Sequence, residues 1–228
     1  MKLLTLSAVA FAVALTGCAD LQKQTGLDNK TAGAAGGAAI GCVGGALLAK
    51  ITGQNAAAGC LVGAVAGGFV GFEKARQDEL SAAAQAQQEA IAALGPLSSG
   101  RQINAQPIRT VEVTATDKAT NETRKYQAFD SMSIDLPLNQ KDTPGYDKAI
   151  ASLRTYAEKL ADERGSSKVD RTMTSADAKT QKYTLDSNVY KTAKGNPVTV
   201  SKTTDNTLQK GIERVTVRAG KLERSVVS

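Results

Sequence analysis

The most distinctive chemical group in this chain is the thiol of Cys18. It follows a positive end, an apolar stretch and two small residues, in that order. Met1 and Lys2 supply a positive end, and an uncharged apolar stretch runs from Leu3 to Leu15. A positive end, roughly 7–15 apolar residues and then small residues are typical of a secretory signal. We expect such a segment to be removed after export, and it is too short to span a bilayer stably.

The residues Leu15, Thr16, Gly17 and Cys18 resemble the lipobox of bacterial lipoproteins. In that motif small residues let a signal peptidase reach the bond before a cysteine that already carries diacylglycerol. The resemblance predicts a signal peptide at 1–17, lipidation of Cys18 and a tether at 18–30. Several acyl chains, palmitate among them, hold firmly in lipid, since each buried methylene contributes about 0.8 kcal/mol. An aspartate after the cysteine often retains such proteins in the inner membrane, so Ala19 favours the outer membrane.

The remaining chemically active side chains form no catalytic pattern. The chain has no histidine, and it contains no Gly-x-Ser-x-Gly sequence, paired carboxylate motif or phosphate-binding loop. A hydrolase would therefore need a Ser-Lys or Asp-based site. We predict a protein that is not an enzyme and that has no cofactor and no metal site.

The formal net charge of +6 would suit contact with anionic lipid, lipopolysaccharide or cell-wall polymer. The lysines and arginines are scattered among acidic residues and form no continuous block, which is typical of a solvated surface. A functional basic patch is the alternative. No basic-aromatic recognition motif is present, so nucleic acid is not an expected partner.

Two series of glycines at every fourth position follow the tether. Their members are Gly33, Gly37, Gly41 and Gly45, then Gly59, Gly63, Gly67 and Gly71. Positions four apart lie on one face of a helix, so each series forms a groove into which another backbone can pack. With a turn at residues 51–55, the range 31–72 is predicted to be a glycine-zipper α-helical hairpin.

A membrane is the environment in which such a hairpin makes physical sense. Glycine costs a soluble helix about 1 kcal/mol relative to alanine, and close packing must compensate for it. Small-xxx-small spacing provides that packing between helices in lipid. From Thr31 to Phe72 only Lys50 is charged, and each arm falls within the roughly 17–25 residues that cross a hydrocarbon core. The alternative is a hairpin that packs into an oligomer away from lipid.

A lipobox followed by two glycine series around a short turn is similar to the glycine-zipper lipoproteins of Gram-negative outer membranes, the rickettsial surface antigen type included. The resemblance covers residues 1–17 and the hairpin. It implies an envelope location and a structural or interaction role, and it supplies no catalytic residues.

Cys42 and Cys60 each follow a glycine of the series. A turn near residue 53 places them about one helical turn out of register on an antiparallel pair. A disulfide needs Cα atoms within ~7 Å and an oxidising compartment. The alternative is that both are small apolar residues in helix packing, and both interpretations stay open.

Residues 73–94 become charged and then rich in alanine and glutamine, with Leu80, Ala84, Ile91 and Leu94 near a heptad spacing. They are predicted to continue the second zipper helix, from about residue 55, as a helical stalk that is either solvated or a coiled coil. Residues 95–107 are predicted to be a linker, because Gly95-Pro96 ends the helix.

Residues 108–228 are predicted to form an α+β domain, a small antiparallel sheet with one packed helix. Alternation predicts strands at Val111–Ala115 and Met132–Leu138. A helix is predicted from Pro144, capped by Thr143 and ended by Gly165. Its core face comprises Tyr146, Ile150, Leu153, Ala157 and Leu160. Later strands are predicted at 182–190, 198–203 and 213–218, with a turn at 195–197.

The order from Tyr126 to Asp170 faintly resembles a peptidoglycan-binding domain in which strand, helix and strand precede a ligand-binding aspartate. The characteristic Gly-His-Thr-Asp turn is missing, so no binding residue is carried over. The whole sequence predicts a non-enzymatic lipoprotein of the outer membrane with its C-terminal domain in the periplasm. Expected partners are membrane lipid and a second copy or an outer-membrane protein. The alternative function is a peptidoglycan-binding module formed by the C-terminal domain.

Overall fold

The computed structural model describes residues 56–95, 103–117, 120–220 and 225–227. The compact unit that contains the sheet runs from Phe72 to Val227. The predicted signal peptide, the predicted lipobox and tether, the first glycine series, Cys42 and the turn of the predicted hairpin lie outside the described residues.

The described part of the chain contains three α-helices and eight strands. The helices are α1 (Ala56–Leu94), α2 (Pro144–Arg164) and α3 (Ser175–Thr180). The strands are β1 (Asn104–Ala105), β2 (Arg109–Asp117), β3 (Thr123–Pro137), β4 (Ser167–Met173), β5 (Ser187–Lys191), β6 (Pro197–Thr204), β7 (Ile212–Ala219) and β8 (Ser225–Val227). A 3-10 turn at Leu138–Gln140 follows β3.

Helix α1 buries a face of small side chains in its C-terminal part. The buried residues are Ala83, Ala86, Ala90 and Leu94. They recur at intervals of three or four residues and therefore share one side of the helix. Because methyl groups project so little, neighbouring elements can approach the helix backbone closely. Gly95, at φ +64°, ends the helix in a left-handed conformation.

Helix α2 begins and ends where the sequence predicts. The Thr143 hydroxyl accepts a hydrogen bond from the backbone N–H of Tyr146 at 3.3 Å, and Pro144 lies in the first turn. Gly165 ends the helix at φ +77°. The cap satisfies one of the free N–H groups that every helix start exposes.

The strands form one sheet in the order β5-β6-β4-β7-β3-β2-β8, with β1 also paired to β3. Most neighbours are antiparallel, but β4 pairs with β6 in parallel, and so does β2 with β8. The prediction of an antiparallel sheet is therefore wrong, and the sheet is mixed. The cause is the segment after β4, where α3 and β5 carry the chain back so that β6 runs in the direction of β4.

Alternation along the strands separates an apolar face from a polar one. Met132 and Ile134 of β3 lie opposite Val217 and Val215 of β7, and all four are buried. These residues form one core with Leu153 and other buried residues of α2, and with the alanine face of α1. Two helices therefore cover the apolar face, where the sequence predicts only one.

The predicted stalk at 73–94 is not confirmed as a separate element. The segment is helical, but it belongs to the same compact unit as the sheet. Its buried positions are centred on Ala83, Ala86 and Ala90, and Ile91 is only half-buried. Alanines carry little hydrophobic signal, so the packing face does not stand out in the sequence.

The later strands of the sheet largely follow the sequence predictions. The strands at 198–203 and 213–218 are confirmed as β6 and β7, and Gly195, at φ +86°, turns the chain between β5 and β6. The strand predicted at 182–190 is shorter and begins at Ser187. Strand β4 and helix α3 were not predicted.

Candidate functional site

The face of the sheet opposite the core carries three rows of polar side chains across β3, β7, β4 and β6. The first row is Asp135, Arg214, Thr172 and Thr203. The second is Ser133, Thr216, Asp170 and Ser201. The third is Ser131, Arg218, Lys168 and Thr199. We call this surface the polar face. Each of its residues alternates along its strand with a residue of the opposite face, as a strand period of two requires.

The first row contains a close ion pair between neighbouring strands. Arg214 Nε lies 2.6 Å from Asp135 Oδ1, and Arg214 Nη2 lies 2.8 Å from Asp135 Oδ2. This two-point hydrogen bond raises the pKa of the Arg214 guanidinium, and the charge of Asp135 adds to the effect. The pair links β3 to β7, and each of its two charges is satisfied by the other.

In the second and third rows, the carboxylate of Asp170 forms ion pairs with two cations, Lys168 and Arg218. Asp170 Oδ1 lies 2.7 Å from Lys168 Nζ, and Asp170 Oδ2 lies 3.1 Å from Arg218 Nε. The Asp170 side chain is 15% exposed, whereas those of Lys168 and Arg218 are 47% and 51% exposed. One negative charge cannot neutralise two positive ones, so this trio carries a net positive charge that faces solvent.

Hydroxyl groups complete the polar face. Ser133 Oγ and Thr216 Oγ1 are 2.8 Å apart, and Thr172 Oγ1 and Thr203 Oγ1 are 2.9 Å apart. Each pair joins neighbouring strands. A hydroxyl that donates to its neighbour still has acceptor capacity for a ligand or for water.

A groove of about 690 Å³ opens over this surface. One wall is the chain from Gln106 to Arg109, and the other is the segment from Thr203 to Leu208. The groove is lined by the cations Arg109, Lys168, Arg214 and Arg218 and by the carboxylates of Asp170 and Asp205. No aromatic side chain is among the lining residues. We call it the polar groove.

Glu213 of β7 is a buried carboxylate on the core side of the sheet, and several donors surround it. Glu213 accepts hydrogen bonds from Arg171 Nε at 2.8 Å, from Arg171 Nη2 at 2.9 Å and from the Tyr183 hydroxyl at 2.9 Å. The Tyr146 hydroxyl donates to it as well. Burial, and then the charge of Glu213, raise the pKa of both tyrosines. This carboxylate is saturated with donors, which favours a structural role.

A second buried ion cluster joins α1 to α2. Arg164 Nε and Nη2 lie 2.5 Å from the two carboxylate oxygens of Glu79, and Arg76 Nη1 lies 3.0 Å from Glu79 Oε2. The Tyr156 hydroxyl donates to the backbone carbonyl of Glu79 at 3.3 Å. Burial raises the pKa of Tyr156, and the charge of Glu79 contributes further. Four polar side chains therefore hold one turn of α1 on α2.

Those candidate residues predicted from the sequence that the structure describes lie in α1 and not on the polar face. Gly59, Gly63, Gly67 and Gly71 all fall within α1, the helix required for their spacing to form one face. The backbone of Cys60 is in the same helix, and its partner in the proposed disulfide lies outside the described residues. The predicted lipidation site Cys18 and the first glycine series also lie outside the described part of the chain.

In the faint resemblance to peptidoglycan-binding domains, Asp170 stands where those domains have a ligand-binding aspartate after a strand. The structure places Asp170 differently. It lies within β4 and is held by Lys168 and Arg218. Asp170 is therefore not in a turn at the end of the strand, where its carboxylate would be free.

The sequence contains part of the signal for the polar face. In β7, Arg214, Thr216 and Arg218 alternate with Val215 and Val217, which marks a half-buried strand with a basic outer side. In β4, however, Arg171 lies on the core side with Glu213, so the alternation is broken. Arg109, Ser131, Lys168 and Arg218 are far apart in the sequence, and only strand register unites them.

Comparison with known families supports the interpretation of the N-terminal part. Residues 1–75 match the model of the YMGG-like Gly-zipper family. No curated protein and no solved structure matches the chain. Within the described residues, no helix has both the length and the apolarity to cross a membrane. The N-terminal third of the chain is therefore similar to a glycine-zipper family, which supports a protein associated with a membrane or the cell envelope.

Proposed function

We propose that this protein is a non-enzymatic lipoprotein of the outer membrane, anchored by acyl chains on Cys18, with its C-terminal domain in the periplasm. The observation that carries the proposal is the continuity of the N-terminal features. A predicted export signal, a sequence that resembles a lipobox and two glycine series follow one another within residues 1–75, the range that matches a Gly-zipper family. The glycine helices then self-associate or dock on an outer-membrane protein.

Lipid anchoring is tested by the fate of the precursor. Globomycin, which inhibits the lipoprotein signal peptidase, should make the uncleaved chain accumulate. The variant Cys18→Ala should lose acyl label and leave the outer-membrane fraction, whereas Cys60→Ala, the same change within α1, should keep both. Mass spectrometry of the mature N-terminus reports the acylation directly. An unmodified N-terminus in the untreated protein would refute this anchor.

Association through the glycine series is tested by filling one groove. Gly63→Leu places a large side chain on the glycine face of α1, and we expect it to weaken crosslinked oligomers or partner complexes strongly. Ala57→Leu is the matched control, because residue 57 lies two positions before Gly59 and thus on the opposite side of the helix. Equal effects of both variants would argue against a groove-specific contact.

A second candidate function is supported by the polar groove. Four cationic side chains and two carboxylates line this cleft. Arg214 is already paired with Asp135, so Arg109, Lys168 and Arg218 are the cations that would attract an anionic polymer, and the cell wall is such a polymer. The mature protein in detergent should then sediment with purified sacculi, and salt should weaken the binding because exposed charges are screened. Sedimentation that is unchanged by salt, or no sedimentation at all, would remove this candidate.

A further inference from the structure

The third row of the polar face extends over one more strand and becomes a line of cations. Arg109 of β2 lies opposite Ser131 of β3, Ser131 lies opposite Arg218 of β7, and Arg218 lies opposite Lys168 of β4. Four adjacent strands span roughly 14 Å at about 4.8 Å per strand. Three positive side chains are thus distributed across that span, and all three line the polar groove.

The line of cations is only partly neutralised. Asp170 pairs with Lys168 and Arg218 together, and among the described residues no carboxylate lies within ion-pair distance of Arg109. A polar outer face is ordinary for an antiparallel sheet. Excess positive charge in a walled groove is a stronger indication of a ligand, because its low-dielectric walls focus the field on whatever enters.

The chemistry of the groove also narrows the ligand class. Neutral sugars are commonly held by stacking on aromatic rings, and no aromatic side chain lines the groove. Guanidinium groups bind carboxylates and phosphates at two points. Repeated anionic groups along a chain would match cations spaced one or two strands apart.

We propose that the polar groove binds an extended anionic polymer that lies across the strands and places its carboxylate or phosphate groups on Arg109, Arg218 and Lys168. Asp170 is then the internal counter-ion that keeps Arg218 and Lys168 in position when the groove is empty. The inference rests on the second candidate function and adds its ligand class and contact residues.

The test uses the full mature chain in detergent and two defined probes. Fluorescein-labelled poly-L-glutamate and fluorescein-labelled polyphosphate are titrated separately by fluorescence anisotropy, so that one titration reports binding of carboxylate and the other reports binding of phosphate. We expect binding to weaken steeply with salt. The variant Lys168→Gln/Arg218→Gln should bind about tenfold more weakly, since two contacts to the polymer are lost.

The matched control is Lys148→Gln/Lys194→Gln. It removes the same number of charges from exposed positions on α2 and in the β5–β6 turn. We expect its affinity to change less than about twofold, because both sites are away from the groove and screened. Arg109→Gln is a second groove variant, and it breaks no ion pair among the described residues. It should weaken binding even if the double variant does not fold.

The outcomes separate this inference from the function on which it rests. Equal loss in the groove and control variants would mean diffuse charge attraction and would overturn the inference, as would failure of both probes to bind. Groove-specific binding of a probe without sedimentation on sacculi would support the inference and refute the cell wall as the polymer.

Discussion

At the residue scale, the Glu79 cluster shows how a buried charge can tie one helix to another. The Glu79 carboxylate accepts from Arg164 at 2.5 Å on both oxygens, and both side chains are almost fully buried. In such a pair, desolvation offsets much of the attraction, so the pair itself adds little net stability. Removing one partner is costly because the other charge stays buried without compensation.

Glu79→Gln should therefore lower the free energy of unfolding by about 3 kcal/mol, the cost of leaving a buried cation unpaired. The measurement is urea denaturation of the mature chain followed by circular dichroism. Lys74→Ala is the control, because it breaks an ion pair on the same helix whose side chains are 74% and 64% exposed. Its cost should stay below about 0.5 kcal/mol. Similar effects of the two variants would contradict the role given to Glu79.

The Glu213 cluster makes a prediction about pH. Tyr146 donates to Glu213, and burial and that negative charge raise its pKa above the ordinary tyrosine value of 10.0. The folded state therefore favours the neutral phenol. Its contribution to stability is complete below the pKa of the unfolded chain and is lost as pH rises above about 10. In that range the free energy of unfolding falls by about 1.4 kcal/mol per pH unit for each such tyrosine.

Tyr146→Phe should then be less stable than the parent protein at pH 7 by about 1.5 kcal/mol, because a hydrogen bond to a charged group is lost. This difference in the free energy of unfolding should shrink above pH 10, because the parent then loses the stability that the neutral phenol of Tyr146 contributes and the variant has no such phenol to lose. Urea denaturation at both pH values measures it, and tyrosinate absorbance reports the ionisation. A difference that stays constant with pH would show that Tyr146 titrates normally.

At the scale of the elements, the contact between α1 and α2 depends on a residue without a side chain. A Cβ added to Gly145 would lie 2.6 Å from the carbonyl oxygen of Ala93, closer than real Cβ contacts allow. The obstacle is backbone, so it cannot rotate away. Gly145 thus permits the first turn of α2 to approach the last turn of α1.

Gly145→Ala should destabilise the protein by about 1–2 kcal/mol, the usual cost of overpacking. Helix propensity alone predicts the opposite sign, a gain of up to about 1 kcal/mol. The sign of the change in thermal or urea stability therefore decides between the two effects. Ala151→Gly, at an exposed position of the same helix, is the control and should cost about 1 kcal/mol. A stabilising Gly145→Ala would mean that the two helices do not pack this closely.

The elements also show which parts of the fold the sequence can predict. Helix α2 is predictable because Thr143, Pro144 and Gly165 act locally, through a cap and two backbone preferences. Strand β4 is not, because Arg171 occupies a core position that only its contact with Glu213 explains. The packing of α1 is equally hard to predict. Alanines such as Ala83 and Ala90 are weakly apolar, and only their contacts in the folded protein show that they belong to the core.

The candidate site is less predictable than the fold for the same physical reason. The lipobox and the glycine series are local patterns, and their chemistry can be inferred from spacing alone. The line of cations exists only when β2, β3, β7 and β4 are placed side by side in one register. The parallel pairing of β4 with β6, which builds one side of the polar face, follows from no local pattern either.

At the scale of the whole molecule, the position of the domain boundary decides what folds independently. The sequence places the boundary near residue 108, after the linker. The compact unit instead begins at Phe72, and the α1 residues Ala83, Ala86, Ala90 and Leu94 belong to the same core as Leu153 and Val217. A fragment that begins at residue 108 would expose that core and would leave Arg164 without its partner Glu79.

We therefore expect the fragment 72–228 to unfold cooperatively in urea, with a single transition by circular dichroism. The fragment 108–228 should show no cooperative transition and should bind hydrophobic dyes, because apolar surface and a buried cation are uncovered together. Adding a synthetic peptide of residues 72–95 to the shorter fragment should restore part of the transition, and the same peptide with Glu79→Gln should do so less well. A cooperative transition in the fragment 108–228 alone would show that the sheet domain folds without α1. Failure of the fragment 72–228 to fold would mean that residues before Phe72 are also required.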